Sequence, residues 1–113
     1  MHEMSIAVNI VKIALEAADK EKAKKINSIE IDLGKLAGVA EEALLFCYDS
    51  TCKNTIAEGS VLKINSIPGQ AFCEACNYQF EADQPYMICP QCGEQVWLIN
   101  GGKELKVKSV NVD

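Results

Sequence analysis

The sequence has no run of about 18 apolar residues, so it offers no segment for crossing a bilayer as a helix. It opens Met-His-Glu-Met-Ser, without the basic stretch, apolar stretch and small-residue cleavage site of a secretory leader. The expectation is a cytoplasmic chain. Positive charge is scarce: Lys and Arg number 11 against 16 Asp and Glu, for a net charge of −5 and a pI near 4.9. A protein that neutralises phosphates needs the opposite balance, so nucleic acid is a poor default partner. There is a single histidine, and no nucleophile has an activating base nearby in sequence, so no enzyme is expected. No internal repeat exists beyond a pair of cysteine motifs.

What remains is ordinary globular composition, 49% hydrophobic and 24% charged, in 113 residues. That length suits one compact domain, or a small domain with a metal-held insertion, and the thin core of so short a chain leaves room for a stabilising metal. Six cysteines in a cytosolic chain point to thiolate chemistry rather than disulfides.

Residues 4 to 20 read as an amphipathic helix: Ile6, Ile10, Ile13 and Ala17 recur at helical spacing, widened by Val11, Leu15 and Ala18. Lys20, Lys22, Lys24 and Lys25 follow, where cations complement the helix dipole. Ile29, Ile31 and Leu33 alternate with Glu30 and Asp32, the pattern of a half-buried strand. Gly34 and Gly38 punctuate a loop, and Glu41 and Glu42 open a second helix running to about Cys52, with Leu44, Leu45 and Tyr48 as its buried face. A strand from Val61 to Ile67 ends at Pro68-Gly69. Residues 70 to 95 hold four cysteines and little periodicity. The chain then returns to strand, Leu105 and Val107 giving way to Val110 and Val112 across a phase slip at Ser109 that would suit a bulge. This order predicts an α+β domain: two helices packed on a three-stranded sheet, formed by residues 1–69 and 96–113, with a zinc-ribbon-like domain built on four cysteines inserted at 70–95.

Cys73-Glu-Ala-Cys76 and Cys89-Pro-Gln-Cys92 are two Cys-x-x-Cys pairs with twelve residues between them. Two residues between cysteines let a tight turn aim both sulfurs at one point, and two such turns complete a tetrahedron of thiolates. Gly93 suits the reversal that follows the second pair. Four protein thiolates leave no open coordination position, so the site should hold structure and perform no chemistry. Zinc is the favoured occupant; a single iron on the same donors, as in rubredoxin, is the competitor, and it would colour the protein. Cys47 and Cys52, on the predicted second helix, read as buried small hydrophobes.

His2, the lone histidine, gains interest from its position. A histidine next to the chain start can offer one metal three nitrogens: the Met1 amine, its own backbone amide and its imidazole Nδ1. These close five- and six-membered chelate rings in a plane, a donor set for Ni(II) or Cu(II) rather than calcium or magnesium. Glu3 stands beside the chelate as a carboxylate donor or proton acceptor.

The combination resembles the HypA/HybF hydrogenase nickel-incorporation family. The resemblance rests on Met1-His2-Glu3-Met4-Ser5-Ile6-Ala7, on Gly34 to Val39, on Phe46-Cys47, and on Thr55 with Glu58-Gly59. Pro68, the two cysteine pairs and Gly102-Lys103-Glu104-Leu105 through Val112 complete it. It implies a nickel metallochaperone for [NiFe]-hydrogenase maturation, with urease served as well in some members. The implied partners are a HypB-type GTPase and the hydrogenase large subunit, with self-association left open. Carried onto these residues, nickel, the cargo, is held by His2 with Met1 and Glu3, and structural zinc by Cys73, Cys76, Cys89 and Cys92. With no second imidazole, the fourth nickel position falls to an amide, to Glu3, Glu41 or Glu42, to water or to a partner. The alternative from another class is a zinc-ribbon nucleic-acid or transcription module, which explains the cysteines but neither the acidity nor the N-terminus.

Overall fold

The computed structural model describes residues 3–97 and 99–113. Its elements run α1 (Glu3–Lys20), β1 (Ile26–Gly34), α2 (Glu41–Cys52), β2 (Val61–Ile67), β3 (Gly69–Cys73), β4 (Tyr78–Ala82), β5 (Met87–Ile88), β6 (Gln95–Val96), β7 (Ile99–Asn100) and β8 (Leu105–Val112). The expected α+β class holds, with two helices, a three-stranded sheet in the order β2-β1-β8, and a cysteine unit built on small sheets. The chain divides into two compact units. Unit 1 is residues 1–32, 39–65 and 106–113, and unit 2 is residues 33–38 and 66–105. None of the described helices is long and apolar enough to cross a membrane.

In unit 1, α1 packs against α2. The face α1 buries is Ile6, Ala7, Ile10, Val11, Ala14 and Ala18, three of them alanines, which lets the helix approach its neighbours closely. This stripe is rotated from the expected one: Ile13 is 49% exposed and Ala17 half-buried. The line Ala7-Val11-Ala14-Ala18 keeps helical spacing as well as the isoleucines do, and small side chains win where backbones come close. On α2 the buried line is Leu44, Tyr48 and Cys52, an i, i+4 row, while Leu45 stays 39% exposed on its flank. Tyr48 is buried with its hydroxyl 2.5 Å from Ser60 Oγ, which satisfies both polar atoms inside the core. Burial raises the Tyr48 pKa.

Strand β1 follows its pattern, with Ile29, Ile31 and Leu33 buried and Glu30 and Asp32 half-covered. Asn65 Nδ2 donates to Glu30 Oε2 (2.8 Å) and Asp32 Oδ1 (3.1 Å), tying β2 to β1. On β8, Val107, Val110 and Val112 are half-buried with Lys108 and Ser109 both exposed, so the phase slip is visible in the burial. Its neighbour β1 slips likewise, from Ile26 to Ile29 across two half-buried residues. Both strands therefore change face.

Unit 2 contains β3 to β7. Its main sheet runs β4-β3-β7, with Gly69↔Ala82 to Cys73↔Tyr78 antiparallel on one side of β3 and Ala71↔Ile99 on the other. The strip 34–37 joins it through Lys35 N–H to Ile67 O (2.8 Å) and Leu36 N–H to Gly102 O (2.6 Å). Gly34 passes so close to Gly102 that a Cβ would collide with the Gly102 carbonyl, an approach that only glycine allows. These bonds and β7 carry the cysteine-bearing unit past 70–95 in both directions.

Candidate metal centre

Two hairpin turns carry the four cysteines. Strand β3 ends on Cys73, and the Cys73↔Tyr78 pair closes a turn over Glu74-Ala75-Cys76-Asn77. Asn77 takes φ 58°, the left-handed region that asparagine tolerates, so the chain reverses directly after Cys76. The second turn follows β5, where Ile88↔Gln95 closes the hairpin. There Cys89 N–H donates to Glu94 O (2.8 Å), Gly93 N–H donates to Cys89 O (2.9 Å), and Gly93 sits at φ 80°. The reversal expected at Gly93 is in place.

The turns bring the sulfurs to one point. Cys73 and Cys92 Sγ lie 3.5 Å apart, Cys76 and Cys89 Sγ 3.6 Å, and all four fall within 4.8 Å of one another. A tetrahedral ion with bonds of about 2.3 Å sets its sulfurs about 3.8 Å apart. The thiols therefore stand at the spacing of a single four-coordinate ion and well beyond disulfide bonding distance. Cys73 and Cys89 are buried, Cys76 half-buried and Cys92 exposed. Ala71, Ala82 and Val96 join Cys73 and Cys89 as the buried cluster, so two of its five members are themselves candidate ligands.

The electrostatics fit a cation. Burial, and then the neighbouring thiols of Cys92, Cys73 and Cys89, push Cys76 up to about 12. Cys89 is also raised by burial, but the Cys92 and Gln91 amides and two thiol contacts outweigh that and bring it down to about 7. At Cys92 the Glu94 amide lowers the pKa, yet the Cys73 thiol and burial leave it raised. Four thiols this close cannot all ionise by themselves, and a divalent ion removes the conflict. Such an ion would be held by Cys73, Cys76, Cys89 and Cys92, with no position left for a substrate.

The other two cysteines lie on α2, away from this cluster in sequence. Cys52 is buried and its pKa raised, first by desolvation, as expected of a small hydrophobe. Cys47 departs from that expectation and is only half-buried, because it lies off the Leu44-Tyr48-Cys52 line.

Of the N-terminal residues, Met1 and His2 lie outside the described residues. Glu3 opens α1, and its Oε2 accepts from the Ala40 N–H at 3.2 Å. Ala40 is the N-cap of α2 and has no capping side chain. Glu3 thus does from another helix what the glutamate of a capping box does from its own, and ties the start of α1 to the head of α2, where Glu41 and Glu42 stand. This contact spans 37 residues, so periodicity gave no sign of it. Also unsignalled is an exposed aromatic pair beside the cysteines, Tyr86 stacked on Trp97 with ring centroids 4.8 Å apart.

The family model "Hydrogenase/urease nickel incorporation, metallochaperone, hypA" matches residues 1–112, the helices and strands included. The chain is 40% identical over 113 residues to hydrogenase maturation factor HypA 2 of Bradyrhizobium diazoefficiens, and 39% identical to HypA of Chlorobaculum tepidum, covering all of each protein. Among solved structures it is similar to the Ni metallochaperone HypA of Helicobacter pylori, with a TM-score of 0.65 at 21% identity over 99% of this chain and 97% of that one, a likeness of fold.

Proposed function

The chain belongs to the HypA family of hydrogenase and urease nickel-incorporation metallochaperones, and on that premise we propose that it takes up Ni(II) at its N-terminus and hands it on during [NiFe]-hydrogenase maturation. The cargo ion binds the Met1 amine, the His2 amide and the His2 imidazole, with Glu3 beside them. Cys73, Cys76, Cys89 and Cys92 hold a separate structural zinc. Unit 1 is then the nickel-handling part and unit 2 the zinc part. The acceptor is the hydrogenase large subunit, a HypB-type GTPase assists, and the work is cytoplasmic.

The observation that carries this reading is the Glu3–Ala40 bond. It holds Glu3, the residue that follows His2 in the sequence, at the head of α2. Planar nitrogen donors select nickel, and an exchangeable fourth position lets an acceptor begin displacing them.

Nickel titration of zinc-loaded protein tests it. His2→Ala, or one residue added before Met1, should weaken nickel binding at least about tenfold, the loss of one donor bond, while zinc content stays unchanged. Affinity should fall as the pH falls from about 8 to about 6, where terminal amines and imidazoles take up protons. X-ray absorption should find nickel among nitrogen and oxygen. An extended chain that binds nickel as tightly as the native one, or nickel surrounded by sulfur, would refute the assignment.

A further inference from the structure

Beside the cysteines, unit 2 carries an open groove of about 380 Å³ whose lining includes Phe72, Cys73, Glu74, Glu94, Val96 and Trp97. Trp97 is 68% exposed, an unusual position for the largest apolar side chain, and Tyr86, itself 44% exposed, stacks against it. Stacking holds the indole in one orientation before any partner arrives, so little rotamer entropy remains to be lost on binding. Neither Glu74 nor Glu94 has a cationic partner among the described residues. Within unit 2, five carboxylates (Glu74, Glu81, Asp83, Glu94, Glu104) face only two lysines, Lys35 and Lys103. Four thiolates around one divalent ion leave the adjoining centre dianionic, which deepens the negative potential.

We propose that this groove docks a basic peptide segment of a partner protein. An arginine lies over the Trp97 ring, its charge met by Glu74 and Glu94, and a neighbouring apolar side chain rests on Phe72. An indole face is the best aromatic surface for a cation, and a planar guanidinium stacks on it better than an ammonium. Nucleic acid is excluded by the same charges that attract the peptide. The assignment needs the cysteine centre filled but is independent of where nickel binds.

Trp97 is the chain's one tryptophan, so its emission reports on the groove directly. Zinc-loaded, nickel-free full-length protein is titrated with acetyl-Gly-Arg-Leu-Arg-Gly-amide and with the same peptide carrying glutamate in place of arginine. The arginine peptide should give a saturable change that weakens as salt rises, and the glutamate peptide none. The double variant Glu74→Gln/Glu94→Gln should bind the arginine peptide about five- to tenfold more weakly, in line with two exposed charge pairs, at unchanged zinc content. No saturable change, an equal response to the acidic peptide, or equal affinity in the double variant would overturn the proposal. Self-association abolished by the same double variant would also overturn it, by placing the lysine run Lys20, Lys22, Lys24, Lys25 of a second copy in the groove.

Discussion

Unit 1 buries Ile26, Ile29, Ile31, Leu44, Tyr48 and Val11 almost completely, together with the small residues of α1. Unit 2 has a smaller buried cluster of Ala71, Cys73, Ala82, Cys89 and Val96, with Phe80, Met87 and Ile99 only partly buried against it. At roughly 25 cal/mol per Å² of apolar surface removed from water, the first set can sustain a fold and the second supplies little. Unit 2 instead converges four sulfurs on a point. The contrast teaches that the same chain uses two sources of order. One is spread over many contacts and tolerates single losses, and the other, once an ion is bound, is concentrated in four bonds and fails as a whole.

Removing the metal should break the comparison most clearly. Structural zinc contributes on the order of 10 kcal/mol to the folding of small sites. Chelation, or Cys73→Ser, should therefore abolish amide-exchange protection across residues 69–96 and leave α1 and α2 protected. Equal protection of residues 69–96 with and without metal would mean that the small cluster suffices. The converse test is Leu44→Ala, which opens a cavity in unit 1 and should lower its stability by about 2–5 kcal/mol in denaturant titration, with zinc content unaffected. A smaller effect is expected of Tyr48→Phe. It removes the bond to Ser60 and leaves that buried hydroxyl without its partner, for a loss of about 1–2 kcal/mol.

The smallest effect concerns Glu30 on the exposed side of the sheet. Its pKa is lowered from 4.5, first by the Asn65 hydrogen bond and further by Lys108. A carboxyl whose folded pKa lies below its unfolded one stabilises the fold above the unfolded value, and the contribution disappears as pH falls through the folded value. Stability of unit 1 should thus decline slightly below about pH 4.5, and Glu30→Gln should flatten that decline. An identical acid limb in the variant would assign the dependence to other groups.

Much of this architecture was legible in the residues. The alternation at Ile29, Ile31 and Leu33 fixes a face because side chains in a strand point alternately to opposite sides. Paired acids at Glu41 and Glu42 mark the start of α2, and the strand Val61–Ile67 stops where Pro68 interrupts the ladder. The cysteine spacing paired Cys73 with Cys76 and Cys89 with Cys92, because a two-residue turn dictates the separation within each pair. Less legible were the details of burial. Ile13 and Leu45 are as hydrophobic as their neighbours, and only the approach of other elements decided that they would stay partly exposed while Ala14 went inside.

What the sequence by itself determined is therefore local: the periods of helices and strands, the reversal at Gly93, and the turns that pair Cys73 with Cys76 and Cys89 with Cys92, all governed by a few consecutive residues. Tertiary structure alone decided the contacts between residues far apart along the chain. Glu3 reaches the Ala40 amide across 37 positions, Gly34 meets Gly102, and Tyr86 stacks on Trp97 beside the acidic groove. Such contacts have no period and no spacing rule, because each depends on where separate elements come to rest when their apolar faces are buried together.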